Sequence, residues 1–119
     1  MLGGWLSRPG EGPRGKDQVV LFSKFTLQPG KRDEFNKLLL EGLDSVKANE
    51  PDTLSILLVA DENNPDVTYV MERFKNKAAL EAHMNNPGSA KVREHAMPLA
   101  KERDGGYFKA VAGFISKDE

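Results

Sequence analysis

The chain has 119 residues, of which 39% are hydrophobic and 29% charged, and its formal net charge is -1. Its length supports one domain with a modest core. The basic and acidic residues are spread along the chain, so there is no basic stripe of the kind that binds nucleic acid. Without cysteine there is no disulfide framework and no thiolate nucleophile. No apolar run is long enough to span a membrane, and we expect a cytoplasmic protein that binds neither nucleic acid nor membrane.

Residues 1–17 differ in composition from the rest of the chain, being rich in Gly, Pro and Arg. They contain no apolar block of about seven residues, which a secretory signal requires. They do contain Trp5, the only tryptophan, which either packs loosely or anchors the segment on a partner subunit or a pocket mouth. We predict a flexible leader at residues 1–17, one domain at residues 18–116 and a polar tail at residues 117–119.

The first half of the domain is predicted to be strand, helix and strand. Residues 18–27 carry apolar side chains at both odd and even positions, as expected of a strand that is covered on both faces. The turn residues Pro29 and Gly30 lead into a helix over residues 31–49, where apolar side chains recur at helical spacing. Pro51 ends this helix, since the residue before proline avoids the helical region. Residues 53–60 form the second strand.

The second half begins with a hairpin and ends with another strand. A polar turn at residues 61–66 separates the second strand from a third at residues 67–74, and such turns favour antiparallel pairing. Asn76 caps a helix over residues 77–85. A third helix begins after a cap at Ser89 and ends or kinks near Pro98, and the last strand covers residues 107–115.

This order, β-α-β-β-α-(α)-β, is that of the α+β ferredoxin-like fold, with one four-stranded antiparallel sheet and helices on one face. Helices cover only one face of such a sheet, yet the strands carry apolar residues on both. An isolated protomer would expose a large apolar patch. We therefore predict a homodimer in which two sheet faces pack together.

Two stretches of the sequence resemble a known family. They are Glu50-Pro51-Asp52-Thr53-Leu54 after the long helix, and Tyr69-Val70-Met71-Glu72-Arg73-Phe74 followed by Ala78-Ala79-Leu80-Glu81-Ala82-His83. Together they are similar to the antibiotic biosynthesis monooxygenase domain, a family of dimeric α+β barrels. The resemblance implies a ligand cavity between helices and sheet. Haem-degrading members place Trp where His83 stands, so haem cleavage is not expected here.

Both histidines of the chain, His83 and His95, are candidate catalytic bases because imidazole titrates near neutral pH. The alternatives are that His83 closes the cavity through a hydrogen bond and that His95 lies on a solvated helix face. Glu72 would orient a histidine or join a buried ion pair. Arg93 would bind an anionic substrate oxygen or form a surface ion pair.

Three apolar residues complete the predicted substrate-binding set. The resemblance places Val70 and Phe74, together with Glu72, on the helix side of the third strand, and Phe22 on the first strand is included with them. The two histidines are too far apart to share one helix face, and no acidic cluster lies beside either, so no metal site is predicted.

The predicted function is cofactor-independent monooxygenation of an electron-rich phenol, enol or hydroquinone, with molecular oxygen as the second substrate. No cofactor is expected, because the electrons come from the substrate. The alternatives are a non-catalytic dimer that binds a small molecule or has a structural role, and an isomerase or lyase acting on a carbonyl compound. The sequence does not name the substrate.

Overall fold

The structure, a computed structural model, describes residues 17–111. Trp5, the predicted leader apart from Asp17, and the predicted tail lie outside the described residues. Four strands, three helices and a short 3-10 turn follow one another in these residues. They are β1 (Val19–Leu27), α1 (Arg32–Asn49), β2 (Thr53–Ala60), β3 (Val67–Phe74), α2 (Lys77–Asn85), α3 (Pro87–Ala96), the turn Met97–Leu99 and β4 (Ala100–Lys109). This order confirms the predicted ferredoxin-like plan.

The strands form one sheet in the order β2-β3-β1-β4, and every neighbouring pair is antiparallel. Side chains alternate between the two faces along each strand. On β1 the buried positions Leu21, Ser23, Phe25 and Leu27 face the helices. We call this side of the sheet the helix face and the other side the open face.

Helix α1 is fixed at both ends by features of the sequence. Gly30 supplies the positive φ of 75° that the turn before the helix requires. Asp33 and Glu34 lie in the first turn, where carboxylates interact favourably with the helix dipole. At the other end the Glu50 backbone N–H donates to the Val46 carbonyl. The chain then turns at once into β2, which leaves the Glu50 side chain beneath the helices.

The apolar core lies between the helices and the helix face in two clusters. Phe25, Leu27, Phe35, Val70 and Ala96 form the first cluster, and Leu21, Phe74 and Ala79 form the second. Among the described residues, no helix has the length and hydropathy needed to cross a membrane.

The third helix begins earlier than the sequence predicts. Its cap is Asn86, whose side chain accepts a hydrogen bond from the Gly88 backbone N–H at 2.9 Å, so the prediction of a cap at Ser89 is wrong. Pro87 takes the first helical position, where its missing N–H costs nothing. Ser89 is consequently a helix residue, buried and directed inward.

The last strand is also displaced from its predicted position, since β4 begins at Ala100 rather than at Tyr107. Its first half is the charged run Lys101-Glu102-Arg103-Asp104, which lacks the apolar alternation of a buried strand. At the edge of a sheet such residues are tolerated. Gly105 pairs with Ser23 of β1 at a φ of 129°. A Cβ at Gly105 would lie 2.0 Å from the Phe22 carbonyl oxygen, so only glycine allows β4 to approach β1 this closely.

Candidate active site

A cavity of about 90 Å³ lies between the helix face and helices α1, α2 and α3. Its walls are mostly apolar and draw on both core clusters, including Leu21 and Phe25. Five polar or charged side chains also line it, namely Glu72, His83, Ser89, Arg93 and Arg103. An apolar cavity with a few convergent polar groups is the usual form of a small-molecule site.

His83 lies between two carboxylates at one end of this cavity. Its Nδ1 is 2.6 Å from Glu50 Oε1, and its Nε2 is 3.2 Å from Glu72 Oε1. The His83 and Glu50 side chains are only 8% and 7% exposed, and that of Glu72 is 12% exposed. An ionised carboxylate can only accept a hydrogen bond, so a His83 ring that donates to both Glu50 and Glu72 is the imidazolium. The raised pKa of His83 favours this form.

Glu50 is fixed by four donors from three parts of the chain. Besides His83, Thr53 Oγ1 donates to Glu50 Oε1 at 2.8 Å, and Oε2 accepts from Asn86 Nδ2 at 2.7 Å and Ser89 Oγ at 3.1 Å. Among the described residues, no buried side-chain nitrogen or oxygen lacks a hydrogen-bond partner. The Glu50 carboxylate thus ties α2, α3 and the start of β2 together.

The pKa values of His83 and Glu50 shift in opposite directions, in part because the two side chains interact with each other. Burial lowers the pKa of His83, but its interactions with the Glu72 and Glu50 carboxylates outweigh burial and raise the pKa above the ordinary 6.5. Burial raises the pKa of Glu50, but the hydrogen bonds from His83 and Thr53 and the charge of His83 lower it below the ordinary 4.5. Both shifts favour the charged forms.

Two arginines line the cavity as well. Arg93 on α3 donates from Nη2 to the Met84 carbonyl at 2.7 Å, which places its guanidinium beside the end of α2 that carries His83. Arg103 on β4 lies with its Cζ 5.4 Å from the centroid of the Phe25 ring. A guanidinium can bind an anionic oxygen at either position.

The structure brings most of the predicted site residues together. Val70, Glu72, His83 and Arg93 all line the cavity. Phe74 is fully buried and lies behind His83, with ring centroids 5.2 Å apart, so it supports the histidine ring.

Two predicted residues lie elsewhere. Phe22 is on the open face of β1, where its ring centroid is 5.9 Å from that of Tyr69. It is separated from the cavity by the sheet because its neighbours Leu21 and Ser23 face the helices. His95 is exposed on α3, since the inward-facing positions of that helix are Ser89, Val92, Arg93 and Ala96. Neither residue lines the cavity.

Comparison with known proteins identifies the family and agrees with the fold. The family model for antibiotic biosynthesis monooxygenases matches residues 18–95. The chain belongs to this family. No curated protein matches the chain.

Solved structures share the fold of this antibiotic biosynthesis monooxygenase family member. A Caulobacter crescentus protein named after the family is 26% identical, with a TM-score of 0.75 over 81% of this chain and 92% of the other. A Bacteroides thetaiotaomicron protein named after the family is 22% identical, with a TM-score of 0.72 over 82% and 90%. SnoaB, a cofactor-independent oxygenase of Streptomyces nogalater, is 17% identical, with a TM-score of 0.69 over 79% and 93%. At the latter two identities the likeness establishes the fold alone.

Sequence reasoning missed two charged residues of this family member's site. Glu50 was read as part of a helix stop, although it belongs to the Glu-Pro-Asp motif that carries the family resemblance. Arg103 is absent from the predicted site, because the predicted last strand begins only at residue 107. One feature of the sequence indicates where Arg103 lies. In a strand that begins at Ala100, Arg103, Gly105 and Tyr107 are two residues apart and therefore lie on one face of the sheet.

Proposed function

We propose that this protein is a cofactor-independent monooxygenase acting on an electron-rich phenol, enol or hydroquinone in the cavity between sheet and helices. The observation that carries the proposal is the row Glu72–His83–Glu50, buried at one end of a mostly apolar cavity. Membership of the antibiotic biosynthesis monooxygenase family supports the reaction class. The substrate class comes from the chemistry that such a row can perform.

The first step is removal of a proton from the substrate. Glu72 lines the cavity and is the proton acceptor, because His83 already carries both of its ring protons. When Glu72 becomes neutral, the imidazolium of His83 remains paired with Glu50, so no unpaired charge is left in the buried row. Arg93 stabilises the substrate anion that forms. Glu72 and Arg93 thus act on the substrate, His83 holds Glu72 in place, and Glu50 positions His83.

The electrons of the reaction come from the substrate anion, which reduces dioxygen. For an activated methylene group, two C–H bonds break and a carbon–oxygen double bond forms. One oxygen atom enters the substrate, and the other leaves as water with the two hydrogen atoms. The apolar walls of the cavity keep solvent away from the reactive intermediates. No metal or flavin takes part in the proposed reaction.

The proposed active form is a homodimer joined through the open face. This face carries the exposed apolar side chains Leu57, Val59, Met71 and Phe108, at 57%, 40%, 42% and 55% exposure. Leu57 of β2 pairs with Met71 of β3, so their side chains are adjacent and form one continuous patch. Burying it against a second copy removes apolar surface from water. The cytoplasmic location remains a prediction from the sequence.

Oxygen uptake tests the proposed reaction. A panel of anthrones and hydroquinones would be offered to the wild type and to Glu72→Gln, His83→Gln and His95→Gln. We expect Glu72→Gln to lose about 100-fold in kcat/KM for the best substrate, as is typical of a lost proton-transfer group. We expect His83→Gln to lose activity as well, because it removes the cation paired with Glu72. His95→Gln is the matched histidine control and should keep wild-type activity.

Three results would contradict the monooxygenase. No compound consumes oxygen above background, or Glu72→Gln and His83→Gln both match the wild type, or a compound is converted without oxygen uptake. The last result would identify an isomerase or lyase that uses the same proton acceptor. Tight binding of a compound without any conversion would identify the non-catalytic binding protein.

A further inference from the structure

Arg103 has no part in the proton transfer proposed above, although it lines the same cavity. Its Nη2 lies 3.5 Å from Ser23 Oγ, a long and weak contact, and its guanidinium stacks on the Phe25 ring. No carboxylate of residues 17–111 forms an ion pair with Arg103 within 4.0 Å. Arg103 therefore presents a positive charge to the cavity with no carboxylate of the described chain against it.

The acidic neighbours of Arg103 on β4 do not neutralise it. Glu102 and Asp104 alternate with Arg103 along the strand, so their side chains belong to the open face. Asp104 Oδ1 accepts a hydrogen bond from the Gly105 backbone N–H at 2.8 Å. The positive charge of Arg103 is thus directed at the helix face, where the cavity is.

The sheet register sets the separation between Arg103 and the proton-accepting end of the cavity. Leu21 of β1 pairs with Glu72, and Phe25 of β1 pairs with Arg103. These two rows are four residues apart, about 13 Å along β1. Because β3 and β4 flank β1 on opposite sides, the backbones of Glu72 and Arg103 are also about 10 Å apart across the sheet. Both residues line the cavity, so a molecule that contacts both must be elongated.

We propose that Arg103 binds a carboxylate of the substrate, which is an elongated aromatic molecule with its reactive hydroxyl at one end and its carboxylate at the other. The hydroxyl lies at Glu72 and the carboxylate lies at Arg103. A guanidinium offers two parallel N–H donors that match a carboxylate, and the Phe25 ring beneath it keeps the guanidinium plane oriented. The proposal rests on the proposed function only in taking this cavity as the substrate site.

Binding of three naphthalene probes to the whole protein without oxygen tests the proposal. 6-Hydroxy-2-naphthoate has its hydroxyl and carboxylate at opposite ends, 3-hydroxy-2-naphthoate has them side by side, and 2-naphthol has no carboxylate. Isothermal titration calorimetry would give the three dissociation constants for the wild type. We expect 6-hydroxy-2-naphthoate to bind about tenfold more tightly than either other probe, since a hydrogen-bonded ion pair is added.

Two variants separate Arg103 from a general effect of charge. Arg103→Gln should weaken 6-hydroxy-2-naphthoate about tenfold and leave 2-naphthol within about twofold. Lys101→Gln removes the same charge from an exposed residue of the same strand that does not line the cavity, and it should change neither dissociation constant. Arg103 is itself exposed, so its substitution should leave the fold intact.

The proposal fails if the three probes bind equally, if none binds, or if Arg103→Gln weakens 2-naphthol as much as 6-hydroxy-2-naphthoate. Its failure is distinct from failure of the oxygenase. Carboxylate-dependent binding without oxygen uptake from any substrate would uphold the role of Arg103 and contradict the monooxygenase. Oxygen uptake from phenols, together with binding of 6-hydroxy-2-naphthoate that Arg103→Gln does not weaken, would uphold the monooxygenase and contradict the role of Arg103.

Discussion

In most soluble proteins charged side chains are exposed and large apolar side chains are buried. The two faces of the sheet depart from this distribution in opposite ways. On the helix face, Glu50, Glu72 and His83 are charged groups that are almost fully buried. On the open face, Leu57 and Met71 are apolar groups that are 57% and 42% exposed. Buried charges and exposed apolar patches both cost free energy. The proposed function accounts for both departures: the helix face would act on a small molecule, and a second copy would cover the open face.

The largest effect is expected at the open face. Leu57→Lys/Met71→Lys places two neighbouring positive charges of each protomer in the proposed interface, and like charges brought together in an interface weaken association by several kcal/mol. Light scattering should show a wild-type mass of about twice 13.2 kDa and a variant mass of about 13.2 kDa. Leu40→Lys is the matched control, because Leu40 is equally exposed at 55% but lies on α1. The control should stay dimeric, and a wild type of about 13.2 kDa would contradict the dimer.

The next effect concerns the anchor of the buried row. Glu50→Ala removes the acceptor shared by His83, Thr53, Asn86 and Ser89, and leaves these donors buried without a partner. We expect the free energy of unfolding to fall by about 3–5 kcal/mol, the usual cost of breaking a buried ion pair from one side. Urea unfolding measures it.

The control for this prediction is Glu41→Gln, which removes a carboxylate from an exposed position of α1. It should change the free energy of unfolding by less than about 0.5 kcal/mol. If Glu50→Ala behaved like Glu41→Gln, the buried row would not hold α2 and α3 against the sheet.

A third prediction concerns β4, which carries Arg103 to the helix face. Gly105→Ala forces a Cβ against the Phe22 carbonyl oxygen at a φ of 129°, and we expect a loss of about 2–3 kcal/mol in urea unfolding. Gly106→Ala is the adjacent control, because its Cβ would meet only the Phe108 ring, at 3.9 Å. Equal losses in the two variants would show that the close approach of β4 to β1 is not what Gly105 provides.

The smallest effect is the pH dependence of stability that His83 supplies. Its pKa is raised on folding, so its contribution is complete below the unfolded value of 6.5 and is lost as pH rises through the folded pKa. The stability difference between wild type and His83→Gln should therefore shrink as pH increases above 6.5, by at most about 1.4 kcal/mol per pH unit. Urea unfolding across this range measures it. A difference that grows with pH would mean that His83 is held neutral.

Local patterns were enough to predict most of the fold from the sequence. The alternation of β1 and β3, the stripe of α1 and the Asn76 cap all appear as predicted, and Asn76 Oδ1 accepts from the Ala79 backbone N–H at 2.9 Å. The error at β4 arose because an edge strand needs no apolar alternation. The pairing of β4 with β1 is a tertiary interaction, and the charged sequence of residues 101–104 does not indicate it.

The site was harder to predict because its partners are distant in the sequence. Glu50 and His83 are 33 residues apart, and their contact depends on how α1 ends and where α2 lies. The sequence identified His83 as a candidate catalytic base but did not show that both of its ring nitrogens face carboxylates. That contact moves the proposed proton acceptor from His83 to Glu72.

The most direct test of the charged row is a pH titration of the His83 ring by nitrogen-15 NMR, with the signal assigned by comparison with His95→Gln. The imidazolium between Glu50 and Glu72 predicts a midpoint above 6.5 in the wild type and a lower midpoint in Glu72→Gln. A wild-type midpoint at or below 6.5, with one ring nitrogen unprotonated at neutral pH, would contradict the buried charged row and the proton transfer built on it.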